Sequence, residues 1–124
     1  MADRTVETSK KVASGRQIQA AIQFYNEGRF ECAITLAHAA ENMNAKLGLL
    51  SFFDKLKEKM SGEDHNLFAN WLKHPTGPDT ATISDLEVVV MIERAISKFY
   101  ARFEFITEAM HAFQDQQRNK LTTS

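Results

Sequence analysis

Apolar and polar positions alternate with a helical period along most of the chain. From Lys10 to Glu27, Ile18, Ala21, Ile22 and Tyr25 fall at i, i+3, i+4 and i+7, one stripe of an amphipathic helix, with Gln17, Gln19 and Gln23 on other faces. Gly28 is placed to supply a left-handed C-terminal cap. Phe30, Ala33, Ile34, Leu36, Ala37, Ala40, Met43 and Leu47 continue the period to Gly48, and so short a connection predicts an antiparallel helical hairpin. A shorter helix is expected from Leu50 to Met60, closed by Ser61-Gly62, and another from Asp64 to Lys73. A loop containing Pro75 and Pro78 follows. Ser84 and Glu87 then form an S-x-x-E capping box. From there Leu86, Val89, Val90, Ile92, Ile96, Phe99, Phe103, Ile106, Met110 and Phe113 carry a stripe down about eight turns, read as one long last helix. No strand pattern or internal repeat competes with helix. The expected fold is an all-α, antiparallel up-and-down bundle of four to five helices, with a polar arm over residues 1–9, the bundle over 10–115 and a polar tail over 116–124.

Size and charge narrow the picture. At 124 residues the chain is expected to form one domain, and 15 Lys and Arg against 16 Asp and Glu leave a net charge of −1. Attraction to nucleic acid or to an anionic membrane would therefore have to come from a local patch. Cys32 is alone, which excludes an internal disulfide and fits a reducing, cytoplasmic compartment; its apolar neighbours predict a buried thiol. The first residues lack an apolar signal core and Val88 to Ile92 is far too short to span a bilayer, so neither export nor a membrane partner is expected.

Chemistry is concentrated in His65-Asn66-Leu67-Phe68-Ala69-Asn70-Trp71-Leu72-Lys73-His74-Pro75. On a helix Asn70 and His74 share a face, Ala69 and Lys73 form a second i, i+4 pair beside them, and Pro75 ends the helix. The negative end of the helix dipole favours an imidazolium at His74 by about 0.3–1 kcal/mol. His74 is thus a candidate proton donor or acceptor near neutral pH. The competing reading makes Leu67, Phe68, Trp71 and Leu72 ordinary core or interface residues. Upstream, Glu41 falls in the arc of Ala37 and Ile34, so its carboxylate either faces a polar site or another subunit, or reaches the bundle edge and is solvated.

Other constellations carry less. Glu108 and His111 have the E-x-x-H spacing of di-iron bundles, but no second copy of the motif exists and neither residue lies in the core arc, so no metal site within one chain is expected. Arg94, Lys98 and Arg102 form an i, i+4, i+8 ridge opposite the apolar stripe, read as solvated surface that could contact phosphates. Common nucleotide-binding, zinc and hydrolase motifs are absent, and no cofactor is expected.

The order of features resembles the HEPN superfamily. The resemblance is carried by Ala21-Ile22-Gln23-Phe24-Tyr25-Asn26-Glu27-Gly28-Arg29-Phe30, by Ala33-Ile34-Thr35-Leu36-Ala37-His38-Ala39-Ala40-Glu41, and by Asn70-Trp71-Leu72-Lys73-His74 with Arg94-Ala95-Ile96. It implies a homodimer in which the motifs of two subunits meet in a cleft, and a metal-independent endoribonuclease ancestry. In such a site His74 would be the acid/base and Asn70 its polar support. Ala69 stands where the family has the phosphate-holding Arg, a loss expected to cost on the order of 100–1,000-fold in rate. Lys73 would replace it only as a point charge. The expected function is a degenerate ribonuclease module that binds RNA, a nucleotide or a protein partner, with Glu41 and Trp71 lining the cleft. The alternatives are a weakly active endoribonuclease using His74 with Lys73, and a purely protein-interacting accessory or immunity bundle.

Overall fold

The computed structural model describes residues 3–44, 77 and 79–123 of the chain. Their regular structure is entirely helical: α1 (Lys10–Asn26), α2 (Phe30–Met43), α3 (Asp85–Phe103) and α4 (Glu108–Thr123). The fold is an all-α bundle. No helix among the described residues is long and apolar enough to cross a membrane.

Local chemistry sets the helix ends. Ser9 Oγ caps α1 by accepting from the Val12 N–H at 3.1 Å. Gly28 takes φ 80° just past that helix, a left-handed conformation that costs glycine nothing, and α2 begins two residues later. Ser84 caps α3, its Oγ accepting from the Glu87 N–H at 3.2 Å. The α2 helix ends at Met43 with Asn44 as its C-cap, short of the Gly48 stop expected from spacing.

The core is built from the predicted stripes. Ile18, Ala21, Ile22 and Tyr25 of α1 are buried against Ala33, Ile34, Ala37 and Ala40 of α2 and against Val88, Ile92, Ala95, Ile96 and Phe99 of α3. The small residues of α2 let its neighbours approach closely. Tyr25 is an aromatic hub, stacked on Phe30 and edge-on to Phe113 with both centroids at 5.7 Å. Every residue of α3 from Glu87 to Phe99 is buried, and the helix packs against both α1 and α2.

Three expectations are corrected here. The last helix is not continuous: it breaks after Phe103, where Glu104 adopts φ 61°, and α4 starts afresh at Glu108. The restart has a local cause, because Thr107 Oγ1 accepts from the Met110 N–H at 3.2 Å and Glu108 complements the helix dipole. Phe105 turns back onto Phe99 at 5.3 Å between centroids, with the Lys11 ammonium 4.5 Å from its ring. Residues 116–123, read as a polar tail, continue α4 through Thr123. Cys32 is exposed, since α2 turns Ala33 and Ile34 inward and leaves Cys32 on the outer face.

Candidate functional site

Helices α2 and α3 meet along a face where the core changes from apolar to ionic. Glu41, one turn beyond Ala37 on the buried face of α2, is only 2% exposed. Its Oε1 accepts from Arg94 Nη2 at 2.5 Å and from Lys98 Nζ at 3.1 Å. One turn further, the Arg102 guanidinium donates to the Met43 carbonyl at 3.1 Å and to Asn44 Oδ1 at 2.9 Å. The i, i+4, i+8 spacing of these cations on α3 is what brings them onto a single helix, α2.

This arrangement corrects the reading of the ridge as solvated surface. Arg94 and Lys98 are each 8% exposed, and only Arg102 reaches solvent. The position of Glu41 had two readings, and the structure selects the inward one, with its cationic partners on the same chain. Burying those cations alone would be prohibitive; Glu41 makes it tolerable. Its second oxygen, Oε2, is buried and accepts no hydrogen bond. Among the described contacts two cations, Arg94 and Lys98, meet one carboxylate, and the exposed Arg102 one turn further bonds neutral acceptors. Cations thus outnumber carboxylates among the described residues of this face, which reaches solvent at Arg102.

Two further polar groups tie the helices together. Tyr25 Oη donates to Asp85 Oδ1 at 2.7 Å and accepts from Lys120 Nζ at 2.9 Å, joining α1, the start of α3 and the end of α4. The hydrogen bond to Tyr25 raises the Lys120 pKa above 10.5, helped by the Asp85 charge. On another side of α3, Glu93 Oε2 accepts from Gln114 Nε2 at 3.2 Å. Burial pushes the Glu93 carboxyl above 4.5, against the lowering effects of Gln114 and of the Arg118 charge.

Of the residues singled out from sequence, Glu41 is placed in the ionic cluster. Asn70, Trp71, Lys73 and His74, with Ala69, lie outside the described residues. Glu108 and His111 are both exposed, and among the described residues no group of three His, Cys, Asp or Glu side chains could hold a metal ion. The Tyr25–Asp85–Lys120 tie escaped sequence reasoning. It spans up to 95 residues of sequence, and no local period links its members. No protein-family model matches the chain, and no significant match to a curated protein or a solved structure was found.

Proposed function

We propose that this chain is a HEPN-like, homodimeric helical module that binds RNA or a nucleotide through phosphate and has lost efficient cleavage. The observation that supports the reading is the row of cations on α3, in which Arg94 and Lys98 meet Glu41 in the interior and Arg102 is exposed, held by Asn44. A guanidinium already oriented by Met43 and Asn44 loses little freedom on meeting a phosphate, and its planar fork suits two phosphate oxygens. The buried cations behind it add a field that water screens weakly. This is the local patch that a chain of net charge −1 needs in order to attract an anion. Catalytic roles remain with His74, Asn70 and Lys73 as the resemblance implies, with Ala69 as the reason for silence.

The test pairs binding with cleavage. Binding of a mixed single-stranded RNA pool should weaken with salt, and Arg102→Ala should lower the slope of log affinity against log salt by about 1. Cleavage in EDTA should be absent for the chain itself, appear in Ala69→Arg, and vanish again when His74→Ala is added. Cleavage by the unmodified chain that His74→Ala abolishes would instead make it a weak endoribonuclease. Salt-insensitive or absent RNA binding, without cleavage by any variant, would overturn the proposal in favour of a protein partner. One feature speaks for that second reading, an open, largely apolar groove lined by Phe24, Glu31, Cys32, Thr35 and Leu36 on the outer side of the α1–α2 hairpin.

A further inference from the structure

The apolar stripe keeps one helical phase across the α3–α4 break. Phe99, Phe103, Ile106, Met110 and Phe113 are spaced i, i+4, i+7, i+11 and i+14, and residues 103–108 contain neither glycine nor proline. The sequence would therefore accept a continuous helix through the break. The observed fold-back instead holds Glu104, a residue with a Cβ, in the left-handed region at φ 61°. Among the described residues it is the single non-glycine position with positive φ.

Met110 and Phe113 of α4 are fully buried, and its polar ties include Gln114 to Glu93 and Lys120 to Tyr25. All of these contacts are with surfaces that a second copy of the chain also carries. Straightening the hinge would relieve Glu104 and add helical hydrogen bonds over 104–107, at the expense of the Thr107 cap and the Phe105–Phe99 contact. A joined helix from Asp85 to Thr123 would be roughly 58 Å long, more than twice the roughly 25 Å of α1. Its second half would carry Phe113 away from the Tyr25 ring of its own chain, and a second copy of the chain presents the same ring.

We propose that α4 is an exchangeable arm: two copies of this chain straighten at Glu104 and each places its α4 on the α1 and α3 surface of the other. Since the exchanged contacts are those of the closed chain, the hinge and the protein concentration set the balance. The exchange goes beyond the homodimer of the functional reading and does not depend on what the module binds. A dimer of closed chains would leave that reading intact and remove this one.

The test uses the full chain, half of it labelled with ¹⁵N, unfolded, mixed and refolded at high concentration. The dimer is then separated and treated with a carbodiimide, which joins a lysine to a neighbouring carboxylate without a spacer. Lys120 and Asp85 both contact the Tyr25 hydroxyl, at 2.9 and 2.7 Å. In an exchanged dimer about half of the Asp85–Lys120 linked peptides should carry one light and one heavy strand, as random pairing of two labelled species gives. Absence of dimer, or a dimer whose linked peptides are all light–light or heavy–heavy, overturns the proposal. Two hinge variants give an independent readout. Glu104→Gly, which removes the left-handed penalty from the closed form, should weaken dimerisation by at least about fivefold per hinge. Thr107→Ala, which removes the α4 cap, should strengthen it. A dimer indifferent to both substitutions counts equally against exchange.

Discussion

Two glutamates of nearly equal burial are treated in opposite ways. Glu41 is 2% exposed and Glu93 is 3% exposed. Glu41 meets Arg94 and Lys98 within 3.1 Å, whereas Glu93 receives one amide from Gln114 and only the more distant charge of Arg118. The first carboxylate stabilises its neighbours, because two buried cations share it. The second is a cost to the fold, since burial pushes its pKa up and little offsets that. Burial therefore does not by itself indicate what a charged residue contributes; its partners decide.

The largest expected effect breaks the Glu41 side. Glu41→Gln should destabilise the chain by about 3–5 kcal/mol in denaturant unfolding, because it removes the carboxylate that two buried cations share. Replacing the whole group, as Glu41→Leu with Arg94→Met and Lys98→Met, should recover most of that loss, since well-packed apolar side chains rarely do worse than a buried ion pair. A triple variant as unstable as Glu41→Gln would show that the cluster does more than neutralise itself.

Glu93 should behave in the opposite sense. Its folded pKa lies above 4.5, so its contribution to stability is fully present below pH 4.5 and is lost as pH rises through the raised value. Glu93→Gln keeps an acceptor for Gln114 and carries no charge. The variant should melt above the parent at pH 7, with the gap closing as pH falls toward 4.5. An unchanged gap across that range would mean that the carboxylate is not the cause. Smaller again is Tyr25→Phe, which removes the hydroxyl that Asp85 and Lys120 share and should cost about 1 kcal/mol. At the low end, Gly15→Ala should stabilise α1 by roughly 0.5–1 kcal/mol, because a Cβ there would meet Phe99 at an ordinary 3.5 Å. Melting curves of these last two variants calibrate the larger effects against ordinary helix and hydrogen-bond terms.

Much of the fold was legible because it rests on local rules. The α1 stripe of Ile18, Ala21, Ile22 and Tyr25, the Gly28 turn and the Ser84 cap all stand where spacing and capping chemistry put them. The break at Glu104 was missed because the apolar phase runs through it. Its local signal was Thr107, a capping residue followed by Glu108. The site is less legible. The helical arc leaves Glu41 facing inward or reaching the bundle edge, and spacing alone puts Arg94 and Lys98 opposite the apolar stripe.

The placement of Arg94 and Lys98 marks the boundary between the two kinds of information. Sequence determined that Arg94, Lys98 and Arg102 share one face of a helix, since a period of 3.6 residues fixes relative direction. It did not determine where that face points. On an amphipathic helix at the edge of a bundle the charged face is solvated, but α3 is enclosed by its neighbours and has no such face along Glu87 to Phe99. Charged side chains there had to find partners across the core. Tertiary packing supplied them: α2 brings Glu41 to Arg94 and Lys98, and α4 brings Gln114 to Glu93.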